Sequence, residues 1–183
     1  ILTDPVSGKY ISAVGFQWAG KGAIKGIHER YPDMKLYQTE QECGDGKNDW
    51  SGAVYSWNLM RHYLDNGASA YMYWNISLDK GGISPWGWAQ NSLEVVDPDT
   101  KTFHYTPEYY VMKHLSHYVQ PGARKLETSG QFSNLMAFVN PDKSIVVALA
   151  NEGNEDRQVS VEIDGRVYQP VLPAHSIATL LID

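Results

Sequence analysis

The segment TEQECGDG, residues 39 to 46, holds two glutamates, Glu40 and Glu42, where the short run KLYQTE ends and a loop begins. A carboxylate at the C-terminal end of a parallel strand lies where α/β folds build their active sites. There it can serve as a nucleophile or as a general acid or base. Strand alternation puts Leu36, Gln38 and Glu40 on one side and Tyr37 and Thr39 on the other, so Gln38 and Glu40 are expected to point together into a barrel interior. Glu42 shares that parity but falls beyond the strand, and a glutamate facing solvent from a loop is the plain alternative for either. Two other strand ends carry Gln17-Trp18 and Trp74-Asn75, each a flat apolar ring beside an amide. Such a pair suits a sugar, which offers C–H faces to stack and hydroxyls to hydrogen-bond; helix–strand packing is the competing use of each ring. Trp86 and Trp88, flanked by glycine in GGISPWGWAQNS, are expected to line a cleft or to cover a rim.

Other chemistries lack their residues. The six histidines show no HExxH spacing; His114 and His117 stand i, i+3 without an acidic partner, and Cys43 is the only cysteine, so no metal site is expected. GxSxG, P-loop and GxGxxG motifs are absent, which removes the usual signals of serine hydrolases and nucleotide enzymes. Carboxylate chemistry remains. The net charge is −6, from 15 basic and 21 acidic residues, and the basic residues are scattered, which argues against a nucleic-acid partner. No apolar run approaches the roughly 20 residues of a membrane span. Aromatic residues make up 12% of the 183, and all six tryptophans lie between Trp18 and Trp88. That crowding fits a sugar-stacking cleft or a large aromatic core.

The elements that must position these residues change character near residue 126. Before it, apolar runs alternate with helix-period segments, the pattern of βαβ units and a parallel sheet. Strands are expected at 11–18, 35–40 and 69–74. Ile24, Ile27, His28 and Tyr31 mark one helix, closed by Pro32. A second, capped by Asn48 or Asp49, carries Trp50, Val54, Trp57, Met60 and Leu64 on one face and stops at Asn66-Gly67. A third opens at Thr106-Pro107-Glu108, as N-cap, N1 proline and acidic first turn, and ends at Pro121-Gly122. After residue 126 the period is two, with strands expected at 135–139, 144–150, 157–163, 166–171 and 177–182 and a hairpin turn at Asp164-Gly165. This tail reads as an antiparallel sheet or sandwich. Three strand–helix units amount to less than half of an eight-unit barrel, which takes about 250 residues, or to a small open sheet.

The succession AVGFQW, helix, KLYQTEQECG, Trp-rich helix, MYWNISLDKGG, SPWGW, YTPEYYVMKHLSHYVQPGA and a β tail resembles glycoside hydrolase family 30, in its glucosylceramidase-like branch, over nearly the whole chain. The resemblance implies an α/β fold in which residues 1–125 are the C-terminal part of a (β/α)8 TIM barrel, strands six to eight, and residues 126–183 an antiparallel β-sandwich domain. It implies that Glu40 is the catalytic nucleophile. Gln17, Trp18, Trp74, Asn75 and Trp86 become substrate-binding candidates, Trp18 standing after strand six, where many members have His-Trp, and Trp74 flooring the glycone subsite. A cis peptide at Trp74-Asn75 is expected by analogy with related barrels.

The reaction so implied is retaining hydrolysis of β-linked glucosyl substrates, whether glucan, glucoside or glucosylceramide, by double displacement and without cofactor or metal. Its acid/base glutamate follows strand four in the family, so the expected partner is the N-terminal part of the same enzyme, as a separate chain or a cut fragment. An extracytoplasmic address, secreted, periplasmic or lysosome-like, goes with such substrates. A xylan-directed hydrolase of the same family and a non-catalytic carbohydrate-binding module are the alternatives.

Overall fold

The computed structural model describes all 183 residues, which form two compact units, Ile1–Tyr109 and Tyr110–Asp183. The first is built on a parallel sheet of β1 (Ala13–Gln17), β2 (Lys35–Glu40) and β3 (Ala68–Tyr71), with β2 in the middle. The outer edges of β1 and β3 carry no further strand. Two helices make the crossovers, α1 (Ile24–Arg30) and α2 (Trp50–Asp65), as the alternation of apolar runs and helical periods requires. On one face of the sheet Val14, Phe16, Leu36, Ala68 and Tyr71 pack with Ile24 and Ile27 of α1 and Leu59 and Tyr63 of α2. Each large apolar side chain buried there is worth about 1.5–3 kcal/mol against exposure. The opposite face carries Gly15, Gln17, Tyr37 and Thr39, all exposed or half-buried.

Asp49 caps α2 by accepting the Ser51 and Gly52 N–H groups, and Gly67, with φ of +88°, takes the chain out past its C-terminus. The buried face of α2 is Ala53, Ser56, Trp57, Leu59, Met60 and Tyr63. Trp50, Val54 and Leu64, expected at its centre, flank it half-buried. Ser56 belongs inside because its hydroxyl accepts a hydrogen bond from Gln41, which hydrophobic period alone does not register.

A second sheet escaped the sequence pattern, its strands being short and largely exposed: β4 (Ser77–Asp79) runs parallel to β5 (Glu94–Asp97), which turns back into β6 (Thr102–Tyr105). The Trp-rich stretch lies between β4 and β5. Thr106 then accepts the Tyr109 N–H at the start of α3 (Pro107–Ser116).

The units divide within α3, earlier than the change of period near residue 126 suggests. Thr106 at the helix start bonds to Ser92 in the first unit, whereas His114 bonds to Thr179 in the second.

In the second unit β7 (Arg124–Leu126), β8 (Leu135–Val139) and β9 (Ile145–Asn151) form one antiparallel sheet in the order β14-β9-β8-β7, with β14 at Ser176–Ile182. The expected strands at 157–163 and 166–171 each break in two. They give β10 (Arg157–Gln158), β11 (Val161–Ile163), β12 (Arg166–Tyr168) and β13 (Val171–Leu172), in the ladders β10-β13 and β11-β12. Val159 still donates to the Pro170 carbonyl, but Pro170 has no N–H to return. Asp164-Gly165 makes the expected hairpin turn, both residues at positive φ. Ala137, Val147, Leu149, Val159 and Leu172 form the core of this unit.

Candidate active site

β1 and β2 pair residue for residue up to Phe16 with Gln38; the next pair is Gln17 with Glu40. Thr39 is therefore an extra residue, a bulge, and everything after it changes face. Gln38 stays on the helix side with Phe16, buried, its Oε1 accepting the Met72 N–H at 2.7 Å. Glu40 emerges beside Gln17. The expectation that Gln38 and Glu40 point together fails for this reason, since unbroken alternation assumes no bulge.

The two glutamates of TEQECGDG end in different states. Glu42 accepts from both the Lys21 ammonium and the Tyr55 hydroxyl, the latter at 2.7 Å. The pairing raises the Lys21 pKa; burial first, and then Glu42, pushes the Tyr55 hydroxyl up. Glu40 is in no ion pair; its Oε1 accepts one hydrogen bond, from the Trp18 indole Nε1 at 2.7 Å. A carboxylate held by one oriented donor and neutralised by no cation keeps the electron density a nucleophile needs. Trp18 reaches it from a backbone with φ of +45°, a left-handed conformation rare for an aromatic residue and costing on the order of 1–3 kcal/mol. It opens the 3-10 turn Trp18–Gly22, which also brings Lys21 to Glu42.

The indole of Trp18 also joins Tyr55 and Trp88 in walling an open pocket of about 720 Å³, completed by Glu42, Asp45, Ser51 and Asn91 among others. Of Glu40, Gln17, Trp18, Trp74, Asn75 and Trp86, the candidates for catalysis and sugar binding, Trp18 alone lines it. Gln17 is exposed beside Glu40. Trp74 is 46% exposed beyond the end of β3, and its peptide bond to Asn75 is cis, as expected. Asn75 is drawn toward the Trp-rich stretch, its side chain donating to Gln90 Oε1 at 3.2 Å. Trp86, 74% exposed, stacks on Trp88 with ring centroids 5.6 Å apart and stays off the pocket lining.

Two residues that sequence reading passed over, and one that it read differently, complete the surroundings. Lys21 and Tyr55 decide between the two glutamates, and no local signal marks them. Glu108, read as an acidic first turn, is instead completely buried, with Oε1 accepting from Asn91 Nδ2 at 2.6 Å. Burial pushes its carboxyl up.

Comparison with known proteins connects this geometry to a family. Residues 122–180 match the glycosyl hydrolase family 30 beta sandwich domain. Lysosomal acid glucosylceramidase of Mus musculus is 24% identical over 202 aligned residues, covering 99% of this chain and 39% of its own length. Among solved structures, SrfJ from Salmonella typhimurium superposes with a TM-score of 0.86 at 25% identity, covering 98% of this chain and 42% of that one. The endo-β1,6-glucanase BT3312 superposes with a TM-score of 0.83 at 21% identity, over 99% of this chain and 43% of that one. The chain thus spans about two fifths of the length of these proteins. Residues 122–180 thus carry the glycosyl hydrolase family 30 beta sandwich domain, and over its whole length the chain is similar to glucosylceramidase and to solved structures such as SrfJ.

Proposed function

We propose that this chain is the nucleophile-bearing part of a retaining β-glycosidase acting on β-linked glucosyl substrates, with Glu40 as nucleophile. The observation that carries the reading is the bulge after Gln38, which sets Glu40 on the helix-free face of the sheet with Trp18 N–H as its one hydrogen-bond donor. In double displacement Glu40 attacks the anomeric carbon as the leaving oxygen is protonated, and water then hydrolyses the glycosyl ester with the first acid acting as base. Trp18 holds the attacking carboxylate. Gln17, Trp74, Asn75 and Trp86 are the groups we assign to the sugar.

The reaction needs a second carboxyl about 5–5.5 Å from the nucleophile. Glu42 does not serve, its oxygens being engaged by Lys21 and Tyr55. We therefore read residues 1–125 as strands six to eight of a (β/α)8 barrel whose remaining strands and acid/base come from an N-terminal part of roughly 230–300 residues, as a separate chain or a cut fragment. Two unpaired sheet edges and a sheet face without helices support this, because both are surfaces a closed barrel would cover. The glucosylceramidase name of the mouse relative supports a glucosyl substrate, and its lysosomal name an extracytoplasmic address.

Intact mass spectrometry under denaturing conditions, before and after a cyclophellitol-type epoxide, tests the proposal. The expected result is a label on this chain, mapped to Glu40, with a second larger chain in the same spectrum. A label on another residue, or a stable isolated monomer with no exposed apolar face, overturns it.

A further inference from the structure

Asn91 sits at a junction that the proposed reaction does not itself explain. Its backbone N–H donates to the Cys43 carbonyl at 2.6 Å, and its side-chain Oδ1 accepts the Gly46 N–H at 2.7 Å. The turn that follows Glu40 is thus tied at both ends to one residue. Because Oδ1 is committed to Gly46, Nδ2 must point the other way, and there it meets Glu108 Oε1 at 2.6 Å. The packing leaves no slack: a Cβ on Gly52 would collide with both Glu108 Oε1 and Asn91 Nδ2, and one on Gly44 with the Asn91 amide.

Flanking bonds extend the brace. Ser92 N–H donates to Asn48 Oδ1 at 2.8 Å, Thr106 Oγ1 donates to the Ser92 carbonyl at 2.7 Å, and the Leu93 N–H donates to the Asn75 carbonyl at 3.0 Å.

We infer that Glu108 is a positioning residue: its buried carboxyl orients the Asn91 amide, and Asn91 in turn fixes the Cys43–Gly46 turn behind Glu40. The charged groups around it are few. Asp49, at the start of α2, is an acid of the same sign, and the Tyr73 hydroxyl is buried without a hydrogen-bond partner, as is Glu108 Oε2. Complete burial with no facing cation pushes the carboxyl toward the neutral acid, outweighing the hydrogen bonds from its own backbone N–H, Asn91 and Thr106, which favour the charged form. Glutamine has the shape of that acid and the same acceptor toward Asn91, so Glu108→Gln keeps the brace and Glu108→Ala removes it.

This inference rests on Glu40 being the nucleophile only for its catalytic consequence, and two measurements separate the two claims. Hydrogen exchange on the full chain reads the brace directly. In Glu108→Ala the Gly46 and Asn91 amides are expected to exchange at least tenfold faster while amides in the middle of α2 hold their rates, and in Glu108→Gln both keep the wild-type rate. The rate of Glu40 labelling by a cyclophellitol-type epoxide, in enzyme assembled with its N-terminal part, then reads positioning. It is expected to fall about tenfold in folded Glu108→Ala and to recover in Glu108→Gln. Unchanged exchange at Gly46 and Asn91 overturns the inference, and so does faster exchange with an unaltered labelling rate. A wild-type enzyme that takes no label overturns the β-glucosyl reading, and the exchange data still decide the brace.

Discussion

The two units obey different rules of construction. In the second, β9 pairs with β14 over seven consecutive residues and with β8 over five, with no slip of register, and the buried residues run unbroken from Val146 to Asn151. In the first, both ladders of the β1-β2-β3 sheet slip, after Phe16 and after Leu36, and Trp18 has positive φ. Large rings stand exposed there, at Trp18, Trp74, Trp86 and Trp88. A sheet that only supports can satisfy every ladder bond and bury its apolar face. A sheet that presents a carboxylate must break its own alternation to turn that side chain outward, and the irregularities gather where it does. The comparison teaches that the departures from ideal geometry, more than the regular core, point to the site.

Substitutions in each unit can break or sharpen that contrast. The largest effect is expected from Glu40→Gln, which keeps the shape and removes the proposed nucleophile: in enzyme assembled with its N-terminal part, kcat/KM on an aryl β-glucoside should fall on the order of 10⁴-fold or more with the unfolding midpoint unchanged. Full activity in that variant would move the site elsewhere. Leu149→Ala, at the buried centre of β9, should cost about 2–5 kcal/mol in urea unfolding and leave the rate of Glu40 labelling of the folded protein alone. A slowed label would show that the second unit is more than support.

Trp18→Phe keeps a ring and deletes the indole N–H. Losing a hydrogen bond to a charged acceptor, worth about 1.5–3 kcal/mol, should lower kcat/KM roughly 10- to 100-fold. A change confined to KM would reassign Trp18 to sugar stacking alone.

The smallest effect concerns Asp49, whose carboxyl is held below its ordinary value of 3.8 by the Ser51 hydroxyl and then by the Gly52 N–H. A depressed folded-state value means stabilisation that is present above pH 3.8 and lost as pH falls through the folded value. Asp49→Ala should therefore lower the thermal midpoint at pH 7, with the gap to wild type closing as pH drops below 4. A gap independent of pH would show that the cap acts without its charge.

Much of this molecule was legible in the sequence because the relevant physics is local. The span of β2, the Asp49 cap, the stop at Gly67, the opening of α3 and the Asp164-Gly165 hairpin each follow from residue type and spacing within a few positions. The strand-end position of Glu40 followed in the same way. Its orientation did not, since a bulge is set by how β1 and β2 register against each other and leaves no mark in the alternation of β2 itself. The contrast between Glu40 and Glu42 was equally hidden, because Lys21 and Tyr55 come from elements 21 and 13 residues away.

Sequence alone thus determined the parallel strands, the three helices, the Asp164-Gly165 hairpin and which carboxylates lie at a strand end, through propensity, capping and period, but not the β4-β5-β6 sheet. Only tertiary structure decided which carboxylate stays out of an ion pair, which face it takes, and that Glu108 is buried rather than solvated. Those outcomes depend on contacts between segments distant in the chain, and burial sets the protonation of a group only once its neighbours are in place.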